Sequence, residues 1–510
     1  MPPSDRPHRL LTALLAFVVA GTLVATSAVG APKRGGNLVF AHTTNPSSLD
    51  PVLYRGANDK VVLWQLYDGL IRLNEKGAFE PGLAESWDVK DPMHLVFKLR
   101  RGVKFHDGTP FNAHAVKAHI ERIKTETRAA WRPDFDPIDR VDAVDDFTVK
   151  LVMKAPSANI LAVLADTPAL IPSPSAVKKH GKDFGLNPAG TGPFVLERWV
   201  QDGELLLKRN ASYWDRDRPH VDQVVVKIVP DDTVTMAGLR SGTIHAAFRV
   251  PSHEVVALRA DPAIKLVTYA GTGINYVQFN LSRPPFDKVA LRQAVAYAID
   301  RDAVHQVIYK GLGYPAKGLL SPGRAGYHDP RFPGITRDLA KSRAKLGEAG
   351  KANGFKFTYL NRNDNEWPDL AQMLQAQLAE AGIQMEIQTM ESRQQLVELR
   401  EGRYEAAPRG YPGTIDVSDL FVKVHHSKSP LNYGRYRNDA VDRAIESGNG
   451  VFDAQKRIQF FRQAEQLILA DTPTAIVYHQ SYVAAHLATV KGVEVIPDGY
   501  LRFAPLSLDR

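Results

Sequence analysis

No cysteine occurs among the 510 residues. Its absence excludes disulfides, a thiolate metal site, a cysteine nucleophile and the acylated cysteine of a lipid anchor. Stability must come from the core, and a chain of this length can bury a large one spread over two or more domains. Long hydrophobic runs are also missing, with one exception. Residues 10–24 are small or apolar throughout, preceded by Arg6 and Arg9 and followed by a small-residue stretch over 25–31. A positive n-region, an h-region and a cleavage zone in that order predict a secretory signal peptide, cut near residues 28–31. The run is short for a spanning helix, which leaves an uncleaved anchor as the alternative. An exported chain without a lipid-bearing cysteine is expected to be free in the periplasm of a two-membrane bacterium.

Charge of one sign is not concentrated either. The formal net charge is +8, but Lys and Arg are dispersed, so no nucleic-acid footprint emerges. Local catalytic signatures are absent: there is no G-x-S-x-G elbow, no H-E-x-x-H and no phosphate-cradling G-x-x-x-x-G-K-[ST]. Gly271-Thr272-Gly273 lacks the third glycine and following helix of a dinucleotide fingerprint, and reads as a turn. Gly190-Thr191-Gly192-Pro193 resembles a phosphate cradle only superficially, because Pro193 removes a donor; it reads as a sharp turn into a strand at 194–196. His425-His426 is the one local hint of a metal site: neighbouring strand positions would point the two rings apart, whereas on a loop they could share an ion. His106 beside Asp107 reads as a structural hydrogen-bonding turn. No catalytic residue, metal ligand or cofactor is assigned.

What is present is a mixture of short alternating strands and amphipathic helices, an α/β pattern. Residues 205–208 and 224–229 are apolar runs that predict strands buried on both faces. Residues 280–300 combine a strand end, Pro284 and Pro285, and then a helix in which Leu291, Val295 and Ala298 share a face and Asp287 takes the N-cap position. Between 354 and 388 the period changes from two to 3.6 and back. Phe355, Phe357 and Tyr359 alternate, Leu370, Leu374, Leu378 and Ala381 share a helix face, and Ile383, Met385 and Ile387 alternate again. Pro368 suits the helix start and Gly382 its C′ position. The unit is a β-α-β crossover with parallel strands, so the loop 361–367 emerges at a strand's carboxyl end, where open α/β sheets bind ligands. Its Asn361, Arg362 and Trp367 are candidate ligand contacts. Of the other tryptophans, Trp64, Trp131 and Trp199 are further candidates for lining a pocket.

Several tracts then agree in order: LYDGL at 66–70, LAESWD at 83–88, FKLRRGVKFHDGTP at 97–110, GTGPF at 190–194, NASYWD at 210–215 with Pro219 and Asp222, and NLSRPPFDKVALRQAVAYAID at 280–300. Together they resemble the family 5 extracellular solute-binding proteins, the peptide- and nickel-type receptors of ABC importers. The resemblance implies a two-lobed periplasmic-binding-protein fold of class II type, with an extra subdomain in the first lobe and a two-strand hinge. It places lobe I at 32–272 plus 483–510, including an inserted subdomain at about 53–170, and lobe II at 273–482. Trp87 and Trp214 fall inside scaffold motifs and default to core packing.

The resemblance also implies a ligand, a permease and an ATPase as partners, and a monomer that binds without nucleic acid. One departure matters. Residues 409–421 read RGYPGTIDVSDLF, where peptide-binding relatives carry an Asp for the peptide's free α-amino group. Aligning Asp416-Val417 with the carboxylate–Pro pair that follows puts Gly413 at the amine-binding position. A buried ammonium there would lack its partner, a cost of several kcal/mol. Asp416 is the alternative source of that charge, Tyr411 a candidate aromatic wall, and Arg409 or Arg362 a partner for a carboxylate or phosphate. The expected ligand is a short peptide or a peptide-like or opine-like compound. An exported hydrolase, a nickel- or metal-chelate receptor and a chaperone-like binder are the competing classes.

Overall fold

The computed structural model describes residues 33–509 except Arg55, Arg249, Ser252 and Ala325. The expected signal peptide lies outside the described residues. Among the described residues no helix is long and apolar enough to cross a membrane.

Eleven strands form one mixed sheet, ten of them in a row and the eleventh, Tyr314–Pro315, paired beside Thr474–Leu487. Two long antiparallel strands, Ile264–Phe279 and Thr474–Leu487, run at its centre and pair along most of their length. To one side follow Ala406–Tyr411, Phe355–Arg362 and Ile383–Met390. To the other follow Ala246–Phe248, Asn37–His42, Gln223–Ile228, Glu204–Arg209 and Phe194–Val200. The two halves thus share the central strands and have separate cores. One core gathers Phe40, Leu205, Val226 and the returning Phe503; the other gathers Phe279, Leu291, Phe357 and Leu374. The central pair slips register between Ala270 and Ile274, and again between Asn275 and Tyr276. Gly271 and Gly273 lie in that slip, inside the strand, and do not form the expected turn. A Cβ on Gly271 would meet the Gln480 carbonyl oxygen at 2.7 Å, and one on Gly273 would meet Gln480 Oε1 at 2.2 Å. Close approach of the partner strand explains both glycines.

The β-α-β unit forms as its periodicity predicts. Phe355–Arg362 pairs in parallel with Ile383–Met390, and the helix Trp367–Glu380 lies between them in sequence, with Pro368 in its first turn and Gly382 at φ +85° just past its end. The strands at 204–209 and 223–228 also form, but Leu206 and Val225 are only half-buried. Those strands therefore bury one face fully, not both. The helix after the proline pair spans Val289–Ala298 with Lys288, not Asp287, at its N-cap. Asp287 still belongs to the turn before it, donating its N–H to the Arg283 carbonyl. Its apolar face is buried as expected, together with Arg292, whose guanidinium donates to the carbonyls of Phe286, Asp471 and Thr472.

A second, four-stranded sheet joins Ala84–Asp88, His94–Leu99, Thr148–Met153 and Ile138–Asp145. Its core, from Phe97 and Leu151, is covered by the helix Ala113–Thr125, whose N-cap Asn112 accepts from the Ala115 N–H. The motif tracts of this half meet one another. Gly190 and Gly192 sit so close to the Leu66–Tyr67 backbone that a Cβ on either would fall 2.2–2.4 Å from it. The strand Phe194–Val200 follows that turn directly. His106 bridges the same turn, its Nε2 3.0 Å from the Gly192 carbonyl and its Nδ1 accepting from the Gly190 N–H. Asp107 accepts from Thr109 and Ser173. Asp68 accepts from Thr191 Oγ1, Tyr213 Oη and Trp214 Nε1 at 2.8–3.1 Å. Burial pushes its carboxyl above the usual range, and these three donors pull against that.

Candidate functional site

A cavity of about 550 Å³ opens where the central strands cross, a size suited to a small ligand. Its floor is built from alternating strand positions: Asn275 on one central strand, Tyr478 and Gln480 on the other, and Gly410 beside them. Val250, Tyr482 and Val483 close one side, and Tyr309, Leu312, Glu366 and Trp367 the other. Tyr309 stacks on Tyr478 with ring centres 3.5 Å apart and planes 3° from parallel.

A polar chain runs through this floor. Tyr482 Oη donates to Gln480 Oε1 at 3.3 Å, and Gln480 Nε2 donates to Asn275 Oδ1 at 2.9 Å. Asn275 Nδ2 then donates to Tyr309 Oη at 2.9 Å and Glu366 Oε1 at 3.3 Å. Glu366 precedes the helix Trp367–Glu380 and its side chain is half-buried at the cavity wall. Arg362 borders the cavity as well, with its guanidinium 5.6 Å from the Trp367 ring centre. It is paired with Asp364, which also accepts from Ser392 Oγ at 2.6 Å. The Arg362 guanidinium draws the Asp364 carboxyl down to about 2.

The sequence candidates divide. Arg362 and Trp367 border the cavity, and of the six tryptophans Trp367 alone does so. Asn361 is fully buried at the strand end, and neither side-chain amide atom has a partner among the described residues. Arg409 and Tyr411 turn away from the cavity. Strand alternation decides this: Gly410, opposite Asn275, faces the cavity, so Arg409 and Tyr411, opposite Tyr276 and Ile274, face the other side. The Arg409 guanidinium lies 5.1 Å from the Tyr433 ring centre. Tyr411 packs with Val417, Leu420 and Phe421 and is no cavity wall.

Gly413 has no room for a side chain, since a Cβ there would meet Thr272 Oγ1 at 2.2 Å and the Gly273 nitrogen at 2.9 Å. Asp416 is buried and already committed. It accepts from Arg457 Nη2 at 2.7 Å and from the Ser418 N–H at 2.8 Å. Burial pushes its carboxyl up, but the Arg457 guanidinium and the Ser418 bonds outweigh that and hold it below the usual range. The histidine pair sits at the end of a helical turn. His425 is buried with neither ring nitrogen bonded, and His426 faces Asp442 and Glu446.

Sequence reasoning missed Asn275, Tyr309, Glu366, Tyr478 and Gln480. A signal existed for two of them: Asn275 and Gln480 are amides inside long strand-forming tracts. Glu366 lay within the loop already singled out.

Comparison with known proteins gives this arrangement its context. The glutathione-binding protein GsiB of Escherichia coli K12 is 30% identical over 98% of this chain and 99% of its own. Among solved structures, the periplasmic binding protein DppA from Helicobacter pylori, in complex with the peptide STSA, is 28% identical and superposes with a TM-score of 0.77 over 94% of this chain and 99% of its own. AgaA from A. tumefaciens R10, in complex with agropinic acid, is 26% identical, with a TM-score of 0.76 over 93% of this chain and 99% of its own. The fold they share is two-lobed, as the sequence tracts implied. The profile described as bacterial extracellular solute-binding proteins, family 5 Middle, matches residues 78–430, and the chain belongs to that family.

Proposed function

We propose that the cavity at the strand crossing binds a short peptide or peptide-like compound, of the glutathione or opine kind. The chain is the solute-binding component of an ABC importer. In this reading it acts as a free periplasmic monomer after signal-peptide cleavage near residues 28–31. It makes and breaks no bond, and it hands its ligand to a membrane permease driven by a separate ATPase. Lobe I comprises 32–272 and 483–510, with a subdomain near 53–170, and lobe II comprises 273–482. The central strand pair is the hinge, and ligand contacts with both lobes favour the closed state. Peptide, opine and glutathione ligands of the relatives support this class over a metal chelate. A hydrolase has no support from a family of binding proteins.

The observation that carries the reading is the side-chain set of one cavity: the Glu366 carboxylate, the Asn275 and Gln480 amides, and the faces of Tyr309, Trp367 and Tyr478. Gly413 offers no carboxylate and Asp416 is paired with Arg457. A ligand ammonium is therefore directed to Glu366. Calorimetric titration with glutathione, the dipeptide Met-Leu, its N-acetyl form and agropinic acid tests this. Saturable binding of an amine-bearing member is expected, and Glu366→Gln should weaken it about tenfold, or ~1.4 kcal/mol. Equal binding of the free-amine dipeptide to both proteins would remove Glu366 from the amine site. Silence from every compound would overturn the ligand class.

A further inference from the structure

A second cavity, of about 360 Å³, lies on the other face of the strand Thr474–Leu487. Tyr478 and Gln480 border the cleft, while His479 between them borders this one, as strand alternation requires. Leu320, Tyr327 and Phe332 give it apolar lining, and Glu465, His479, Lys317 and Arg462 also border it.

Two buried polar groups here have unused capacity. His479 is 3% exposed and its Nδ1 has no hydrogen-bond partner. Burial keeps the ring uncharged, drawing it down to about 3, and the ring's bond to the Gly318 main chain leaves Nδ1 as a bare acceptor. Glu465 is 4% exposed and accepts the N–H groups of Leu319 and Leu320 on Oε1, at 2.7 and 3.0 Å. It has no ion-pair partner within 4 Å among the described residues. Arg462, which borders the cavity and pulls the Glu465 carboxyl down, donates its hydrogen bond to the Tyr327 carbonyl. A bare ring nitrogen and a carboxyl without an ion pair thus border one partly apolar cavity. An unpaired acceptor in such a place costs free energy until a donor arrives.

We propose that this cavity is a second small-molecule site, which takes a compact primary amine carrying one ring or a short branched chain. The ammonium N–H groups go to His479 Nδ1 and the Glu465 carboxyl, and the apolar body lies against Leu320 and Phe332. The volume is near the lower end of ligand pockets, which limits the occupant to a small compound.

Titration of the full chain with phenethylamine tests the site. Saturable binding is expected, weakened at least about tenfold by His479→Phe, which removes the acceptor. Glu366→Ala, in the cleft, should leave it unchanged. If His479→Phe fails to fold, Glu465→Gln carries the test, since it keeps the acceptor for both N–H groups but removes the charge; the same tenfold loss is expected. A bromophenethylamine located crystallographically beside His479 would support the site directly. Absence of saturable binding overturns the proposal. So does loss of binding in Glu366→Ala with retention in His479→Phe, which would assign the amine to the cleft. Equal binding of 3-phenylpropionate would overturn the choice of an amine.

Discussion

Two polar hubs in this protein look alike on paper and differ in what they leave free. Asp68 collects Thr191, Tyr213 and Trp214, one donor from each of two distant tracts and a third from the neighbouring position, and joins three segments of the first half. Asn275 collects Gln480, Tyr309 and Glu366 at the strand crossing, but its partners border an open cavity. The first hub spends its bonds on holding segments together. The second holds side chains at the wall of the cavity proposed for the ligand. Dense sequence motifs mark the first kind, because every member of a closed network is required at once. The second kind leaves little trace in sequence.

The largest expected effect sharpens this contrast. Asp68→Ala leaves three donors without their acceptor, and should lower stability by roughly 3 kcal/mol or more in denaturant titration. Asn275→Ala should cost no more than about 1 kcal/mol, because its partners keep contact with the cavity and its water. Equal losses at the two positions would erase the distinction.

A third buried acid offers a middle case. Glu465 accepts two backbone N–H groups but pairs with no cation, and burial pushes it up to about 7. In the unfolded chain it titrates near 4.5. The folded state therefore holds a proton that the unfolded state releases between these values. Stability attributable to this residue is full below about 4.5 and is lost as pH rises through 7. Glu465→Gln carries no charge at any pH, so it should exceed the parent by on the order of 2 kcal/mol at pH 8 and match it near pH 5. A pH-independent difference would show that the carboxyl is not desolvated.

Much of the frame was legible from periodicity. The β-α-β unit expected over 354–388, the apolar helix face of Leu291, Val295 and Ala298, and the strand start expected at 194–196 all follow from local pattern, which local geometry enforces. Where reading failed, the missing information was nonlocal. Gly271 and Gly273 look like turn residues until Gln480 is seen pressing against them across the sheet. Arg409 and Tyr411 look like a site because they are the large residues of their strand. Yet a one-residue register assigns the cavity to Gly410 instead. Asp416 looks like a free charge until Arg457, forty-one positions later, is found bonded to it. The loop 361–367 was found from topology alone, since a parallel strand's carboxyl end is fixed by the crossover. Which of its side chains turn inward was not.

Gly410 provides the smallest and most selective test. A Cβ there would stand 3.0 Å from Asn275 Oδ1 and 3.6 Å from the Trp367 ring, inside the cavity and clear of the backbone. The same substitution at Gly413 would strike Thr272 and the Gly273 nitrogen, so it should cost stability by about 1–3 kcal/mol through overpacking. Gly410→Ala should leave stability within roughly 1 kcal/mol of the parent, because Asn275 can give by a few tenths of an ångström toward open space. Its effect belongs to the ligand: the methyl group occupies the floor beside the Asn275–Gln480 bond and should weaken binding by about tenfold. The two glycines are three residues apart, so paired denaturation and titration measurements separate a position that supports the fold from one that faces the cargo. A Gly410→Ala protein with full affinity would move the ligand away from this floor, and the argument from strand alternation would have to be rebuilt around another surface.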